Sequence, residues 1–166
     1  VMSYGYAITA NLLQMAQGYT IFTAGGKLMP ATIYKQTQTP KGTQVIKPET
    51  AKQMREMMVS ITRKGGTGQD GAVPGYDVAA KTGTARKASA GGYADKYRAS
   101  FVGFAPAQNP RLIVAVSIDE PRGKGYYGGT VAGPAFREIM AGGLKKLGVK
   151  PTYVNAEPAA NVAKKR

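Results

Sequence analysis

The chain is expected to fold as α+β, an antiparallel sheet with helices packed on it. Three stretches carry that expectation. Apolar residues recur at helical spacing as far as Ile61, short β-rich runs follow between Val78 and Ile118, and an apolar helical stripe returns after Pro134. At 166 residues, 43% of them hydrophobic, the chain is long enough for one domain with a real core.

Asn11-Leu12-Leu13-Gln14 has the form of an N-cap with Gln at the third helical position. Leu12, Met15, Ala16, Tyr19 and Phe22 continue at helical spacing until Gly25-Gly26 stops the helix. Met29 to Tyr34 is expected to be a strand, with Pro40-Lys41-Gly42 as a turn. Pro48 suits the first turn of a second helix carrying Ala51, Met54, Met58 and Ile61 on one face; its methionines are core filler. Lys64 to Gly75 holds five glycines and must be loop, and it lacks the phosphate-binding Walker pattern. Strands are expected at Val78 to Arg86, Ser100 to Ala105 and Leu112 to Ile118, the last apolar on both faces and therefore covered on at least one side. Pro134 is expected to open a final helix with Phe136, Ile139, Met140, Leu144 and Leu147, closed by Gly148.

Two absences narrow the chemistry. Without Cys there is no disulfide, thiolate metal site or cysteine nucleophile; without His, a Ser-His-Asp triad and most zinc sites are excluded. Acid–base work must fall to Lys, Tyr, Asp or Glu. The 23 Lys+Arg against 9 Asp+Glu give a formal charge of +14. Neither an RNA-binding aromatic signature nor zinc-finger spacing accompanies them, so a basic surface facing an anionic partner is favoured over a nucleic-acid binder. No run of about 18 apolar residues is present to span a membrane, and no signal-peptide pattern opens the chain. It starts at Val1-Met2-Ser3 without an initiator Met, which reads as a fragment lacking its N-terminal portion.

The segment that carries chemistry is Lys81-Thr82-Gly83-Thr84. On a strand, Lys81 supplies a cation to attract a carboxylate or move a proton. Thr82 and Thr84, two apart, face one side and offer paired hydroxyl donors. Gly83 has no side chain, so a substrate backbone can approach and add itself as a strand. Taken alone, the segment is equally a lysine at a strand end followed by turn formers.

Lys-Thr-Gly belongs to the signature of β-lactamases and penicillin-binding proteins. Ser3-Tyr4-Gly5-Tyr6, Leu13-Gln14-Met15-Ala16, Gly83-Thr84-Ala85-Arg86-Lys87, Gly103-Phe104-Ala105-Pro106 and Gly125-Tyr126-Tyr127-Gly128-Gly129 follow in order along the chain. With these segments the chain resembles the class B penicillin-binding proteins, specifically the septal D,D-transpeptidases of Gram-negative bacteria. The resemblance implies a serine β-lactamase-like transpeptidase fold, a five-stranded sheet with helices on both faces. Residues 1–150 would be the C-terminal part of that domain and 151–166 a mobile basic tail.

By the same resemblance, Lys81 sits near the nucleophile and helps proton traffic. The Thr82 and Thr84 hydroxyls bind the terminal carboxylate of a D-alanyl-D-alanine stem peptide or a β-lactam, with Gly83 between them. The Thr84 N–H forms half of the oxyanion hole. Tyr97, Tyr126 and Tyr127 form an aromatic wall over a bound β-lactam; without the resemblance they are ordinary buried or loop aromatics. Arg86 is a local support. No metal or organic cofactor is implied. The implied partners are stem peptides, β-lactams, other division proteins and the upstream remainder of the protein, with no nucleic acid. The implied location is the periplasmic face of the inner membrane at the division septum.

One departure is decisive. None of Ser3, Ser60, Ser89, Ser100 and Ser117 begins Ser-x-x-Lys or Ser-x-Asn, so these residues carry one wall of a site without its nucleophile. Two rivals stay open: a serine β-lactamase relative, and a catalytically inactive sensor or binding module. The sequence upstream would separate them.

Overall fold

The computed structural model describes residues 8–89, 92–123 and 125–153. Helix α1 (Leu12–Thr23) begins at a reciprocal capping box: Gln14 N–H donates to Asn11 Oδ1 at 2.8 Å, and Asn11 N–H donates to Gln14 Oε1 at 2.9 Å. It ends where Gly25 and Gly26 adopt positive φ and Gly26 N–H reaches the Ile21 carbonyl. Two short strands follow, β1 (Lys27–Leu28) and β2 (Thr43–Gln44), paired antiparallel. Helix α2 (Pro48–Val59) opens on proline, with Glu49 in its first turn.

The main sheet is antiparallel, in the order β3 (Ala79–Ser89), β4 (Gly92–Ala105), β5 (Leu112–Asp119). Strand alternation sends Ala80, Phe101, Ala105 and Val114 to one face, where Ala132, Phe136, Met140 and Leu144 of helix α3 (Gly128–Lys146) complete the core. Ala79 and Phe104 go to the other face, against Met58 and Val59 of α2 with Tyr19 and Phe22 of α1. The sheet is therefore covered on both sides. The buried Thr62 hydroxyl ties the end of α2 to the sheet by donating to the Val78 carbonyl at 2.9 Å.

Three expectations need correction. Met29 to Tyr34 is not a strand; pairing stops at Leu28, and Ile33 is 94% exposed. Pro30 supplies no N–H, and local bonds replace a ladder: Tyr34 N–H to Thr32 Oγ1 at 3.1 Å, and Gln36 Nε2 to the Tyr34 carbonyl at 3.1 Å. Pro40-Lys41-Gly42 makes no turn; Gly42 lies against Met29 and Leu28 and feeds directly into β2. The final helix begins at Gly128, with Pro134 inside it. Its start is set by tertiary packing, since a Cβ on Gly128 would strike the carbonyls of Gly83 and Ser100. The stripe on α1 is only half-buried, and Leu12 is exposed.

Helix α3 closes as expected at Gly148 (φ 65°), with Lys145 and Lys146 in its last turn. Beyond it the chain docks against the segment that leads into β3. Thr152 N–H donates to the Gly75 carbonyl at 2.8 Å, and Tyr153 Oη to the Tyr76 carbonyl at 3.1 Å. Residues 154–166 of the expected tail lie outside the described residues, as does the opening Ser3–Tyr6 segment. No helix among the described residues is long and apolar enough to cross a membrane.

Candidate active site

Strand β3 is an edge of the described sheet, and two bonds give the direction of its backbone groups. The Tyr97 carbonyl accepts the Glu120 N–H at 2.9 Å from the β5 side, so Tyr97 turns its backbone away from β3. Its register partner Arg86 must then face the open edge. By alternation Thr84 and Thr82 do the same. Consistently, the Lys81 ammonium donates to the Thr82 carbonyl at 2.8 Å. The Thr84 N–H thus points out of the sheet, toward anything lying along its edge.

The side chains divide between the faces. Thr82 and Thr84 lie opposite Phe101 and Ala99, on the face covered by α3, as their spacing implies. Thr84 Oγ1 accepts the Gly128 N–H at 3.0 Å at the start of α3, which leaves its own hydrogen free to donate outward. Thr82 Oγ1 lies 3.3 Å from Thr67 Oγ1. Lys81 and Gly83 belong to the opposite face, with Val102 and Ser100. A Cβ on Gly83 would meet Ser100 Oγ, so a larger residue there would have to turn the Ser100 hydroxyl aside.

The three tyrosines come together. The Tyr97 and Tyr126 rings stack with centroids 4.0 Å apart and planes 14° apart, and Tyr127 lies 4.6 Å beyond at 35°. The neighbouring Tyr127 hydroxyl raises the Tyr126 pKa above the ordinary phenol value. Arg86 places its guanidinium 5.7 Å over the Tyr97 ring and pairs with Asp95 at 3.3 Å; Tyr97 Oη donates to the same carboxylate at 3.1 Å. Arg86 is therefore a support in this arrangement. By alternation Thr82, Thr84, Arg86 and Tyr97 form one row on one sheet face, with Tyr126 and Tyr127 leading into α3.

Sequence reasoning missed three contributors. Thr67 sits in the Gly-rich loop read as a mere connection. That loop needs its glycines for packing, since a Cβ on Gly68 or Gly71 would collide with the Phe101 ring. Gly129 has the same role, its missing Cβ facing the Thr67 carbonyl. Asp95 was passed over; its position two residues before Tyr97, on the same strand face, was the available signal.

The family description "Penicillin binding protein transpeptidase domain" matches residues 1–141. The chain is 56% identical over 163 residues to the "Probable peptidoglycan D,D-transpeptidase PenA" of Neisseria flavescens, covering 98% of this chain and 40% of that protein. It is 37% identical over 150 residues to the "Peptidoglycan D,D-transpeptidase FtsI" of Escherichia coli strain K12, covering 90% of this chain and 26% of that protein. Among solved structures it matches the apo TP domain of Burkholderia pseudomallei penicillin-binding protein 3, with TM-score 0.86 and 47% identity over 92% of this chain and 47% of that one. The chain thus spans less than half the length of each.

Proposed function

The chain belongs to the penicillin-binding protein transpeptidase family, and from that premise we propose that the protein containing it is a septal peptidoglycan D,D-transpeptidase. Residues 1–150 would be the C-terminal part of the catalytic domain and 151–166 a basic tail. The observation that carries the reading is the open edge of β3, with the Thr84 N–H directed outward and two hydroxyls in a row beside it.

In this reading a serine elsewhere in the protein attacks the penultimate D-alanine carbonyl of a stem peptide. The peptide lies along β3 as an added strand. The Thr84 N–H donates to the oxyanion as the tetrahedral intermediate forms. The Thr82 and Thr84 hydroxyls hold the terminal carboxylate, with Gly83 between them. Lys81, on the opposite face but reaching around to the edge, takes part in proton transfer. The C–N bond breaks, D-alanine leaves, and an amine of a neighbouring stem peptide displaces the serine. A β-lactam enters the same site, its side chain against Tyr97, Tyr126 and Tyr127. Such a protein works at the periplasmic face of the inner membrane with other division proteins.

The test is to treat the full-length protein with fluorescent penicillin and map the adduct by mass spectrometry. A stable adduct on a Ser-x-x-Lys serine outside these 166 residues is expected. Lys81→Ala should slow its formation by about 10²–10⁴. An adduct on Ser3, Ser60, Ser89, Ser100 or Ser117 would overturn the assignment. Rapid release of the adduct would mean a β-lactamase, and no adduct at all a binding module.

A further inference from the structure

Beyond the tyrosines, the far end of the sheet is held by charges from all three strands. Lys87 of β3 donates to Asp119 Oδ2 at 2.9 Å and to Glu120 Oε1 at 2.7 Å. From β4, Lys96 reaches Glu120 at 3.1 Å, and Arg98 places Nε and Nη2 on Asp119 Oδ1 at 3.1 and 3.0 Å. Tyr97 stands between Lys96 and Arg98 in the sequence. Both of its neighbours are therefore anchored to this carboxylate pair, and its own carbonyl is bound by the Glu120 N–H.

Two further features mark the place. Among the described residues Glu120 is the one non-glycine with positive φ, 48°, where glycine would be easier. The Glu120 side chain in this conformation reaches both Lys87 and Lys96. The β3–β4 register also slips here: Arg86 pairs with Tyr97 but Ala88 with Tyr93, so Ala94, Asp95 and Lys96 stand opposite Lys87 alone. A bulge re-aims the residues beside it, and Tyr97 is the next paired residue.

We propose that Asp119 and Glu120, gripping Lys87, Lys96 and Arg98, are positioning residues that set the Tyr97 ring and, through its stack on Tyr126, determine which acyl side chains the site accepts. This rests on the transpeptidase reading and adds to it a determinant of specificity lying behind the aromatic wall. The clasp touches neither the Thr82–Thr84 row nor Lys81. Loosening it should weaken binding of ligands that lean on the tyrosines and leave the bond-making step alone.

The experiment uses the full-length protein with two β-lactams of one nucleus, one bearing an aromatic acyl side chain and one a formyl group. The noncovalent binding constant and the acylation rate constant are separated by stopped-flow labelling. Glu120→Gln keeps size and loses charge; Lys87→Met removes the shared cation and guards against a folding defect peculiar to position 120. Each variant should bind the aromatic ligand roughly tenfold more weakly, the scale of one lost aromatic contact, with the acylation constant unchanged for both ligands. Lys87→Arg, which can grip both carboxylates, should restore binding. Equal weakening for both ligands would mean general loosening, and no weakening would mean the tyrosines hold themselves; either overturns the proposal. Failure of the wild-type protein to acylate with either ligand would instead sink the transpeptidase reading.

Discussion

Strand β3 starts in a layer covered on both faces, where Ala79 and Ala80 are buried with Ala99, Phe101, Val102 and Phe104 of β4, and its side chains become half-buried or exposed from Lys81 onward. Beyond Arg86 the same hairpin emerges from the helices, and Tyr93, Asp95, Lys96 and Arg98 are exposed. Burial holds the first region; ion pairs, a bulge and stacked rings hold the second. One ladder thus serves two purposes. The covered half anchors the edge that presents Thr82, Gly83 and Thr84, and the uncovered half is held by groups that meet solvent.

Substituting the covered half should have the largest effect. Phe136 is fully buried, its ring centroid 4.5 Å from that of Phe101, and a Cβ on Gly103 would touch it at 3.0 Å. Phe136→Ala should cost about 3–5 kcal/mol in urea unfolding of the full-length protein, with transfer and cavity terms adding. Tyr126→Ala, at the exposed end, should change stability far less. Similar losses for both would erase the distinction between the regions.

The same division explains what could be read in the sequence. The α1 capping box was legible because both partners lie three residues apart. The shared face of Thr82 and Thr84 was legible because strand alternation is local arithmetic. Helix α3 was expected six positions too late because its first turn is set by contact with Gly83 and Ser100, which no window around Pro134 contains. The Met29–Tyr34 strand failed because apolar residues without a partner strand have no ladder to join. The clasp was invisible, since Lys87 meets Asp119 and Glu120 across 32 and 33 residues and only the sheet register brings them together. Tyr97, Tyr126 and Tyr127 were assigned to one wall only through family resemblance.

Where the two regions meet, an intermediate effect is expected. Thr82→Val and Thr84→Val keep shape and remove the hydroxyl, so each should reduce acylation by a free β-lactam carboxylate by about 1.5–3 kcal/mol of lost charged hydrogen bonding. The double substitution should fall short of additive if both grip one carboxylate. The variants should lose little against the corresponding ester. Thr84→Val should also destabilise the fold slightly more than Thr82→Val, because it strands the Gly128 N–H at the start of α3. Equal losses on acid and ester would show that the threonines shape the strand and do not read the charge.

The smallest effect belongs to the clasp, and its pH dependence has a definite sign. Hydrogen bonds from Lys87 first, then from Arg98, hold Asp119 below its ordinary value of 3.8; Lys87 and then Lys96 hold Glu120 below 4.5. A carboxylate with a lowered folded pKa stabilises the fold above its ordinary value and loses that contribution as pH falls through the lowered one. Lys87 is raised above 10.5, by Glu120 and then Asp119, so its share is present below 10.5 and lost as pH climbs past the raised value. From about pH 5 to pH 9 the clasp should therefore contribute a constant amount. Urea unfolding of wild type and Lys87→Met at pH 3, 5, 7 and 9 measures this directly. The difference between the two proteins should be level over the upper three points and narrow at pH 3, which lies below the ordinary values of both carboxylates. All five groups meet solvent, so about 1 M salt, with a Debye length near 3 Å, should shrink the difference at pH 7 as well. A difference indifferent to both pH and salt would mean that Lys87 acts through packing of its aliphatic stem, and the exposed end would then be held by the same force as the buried one.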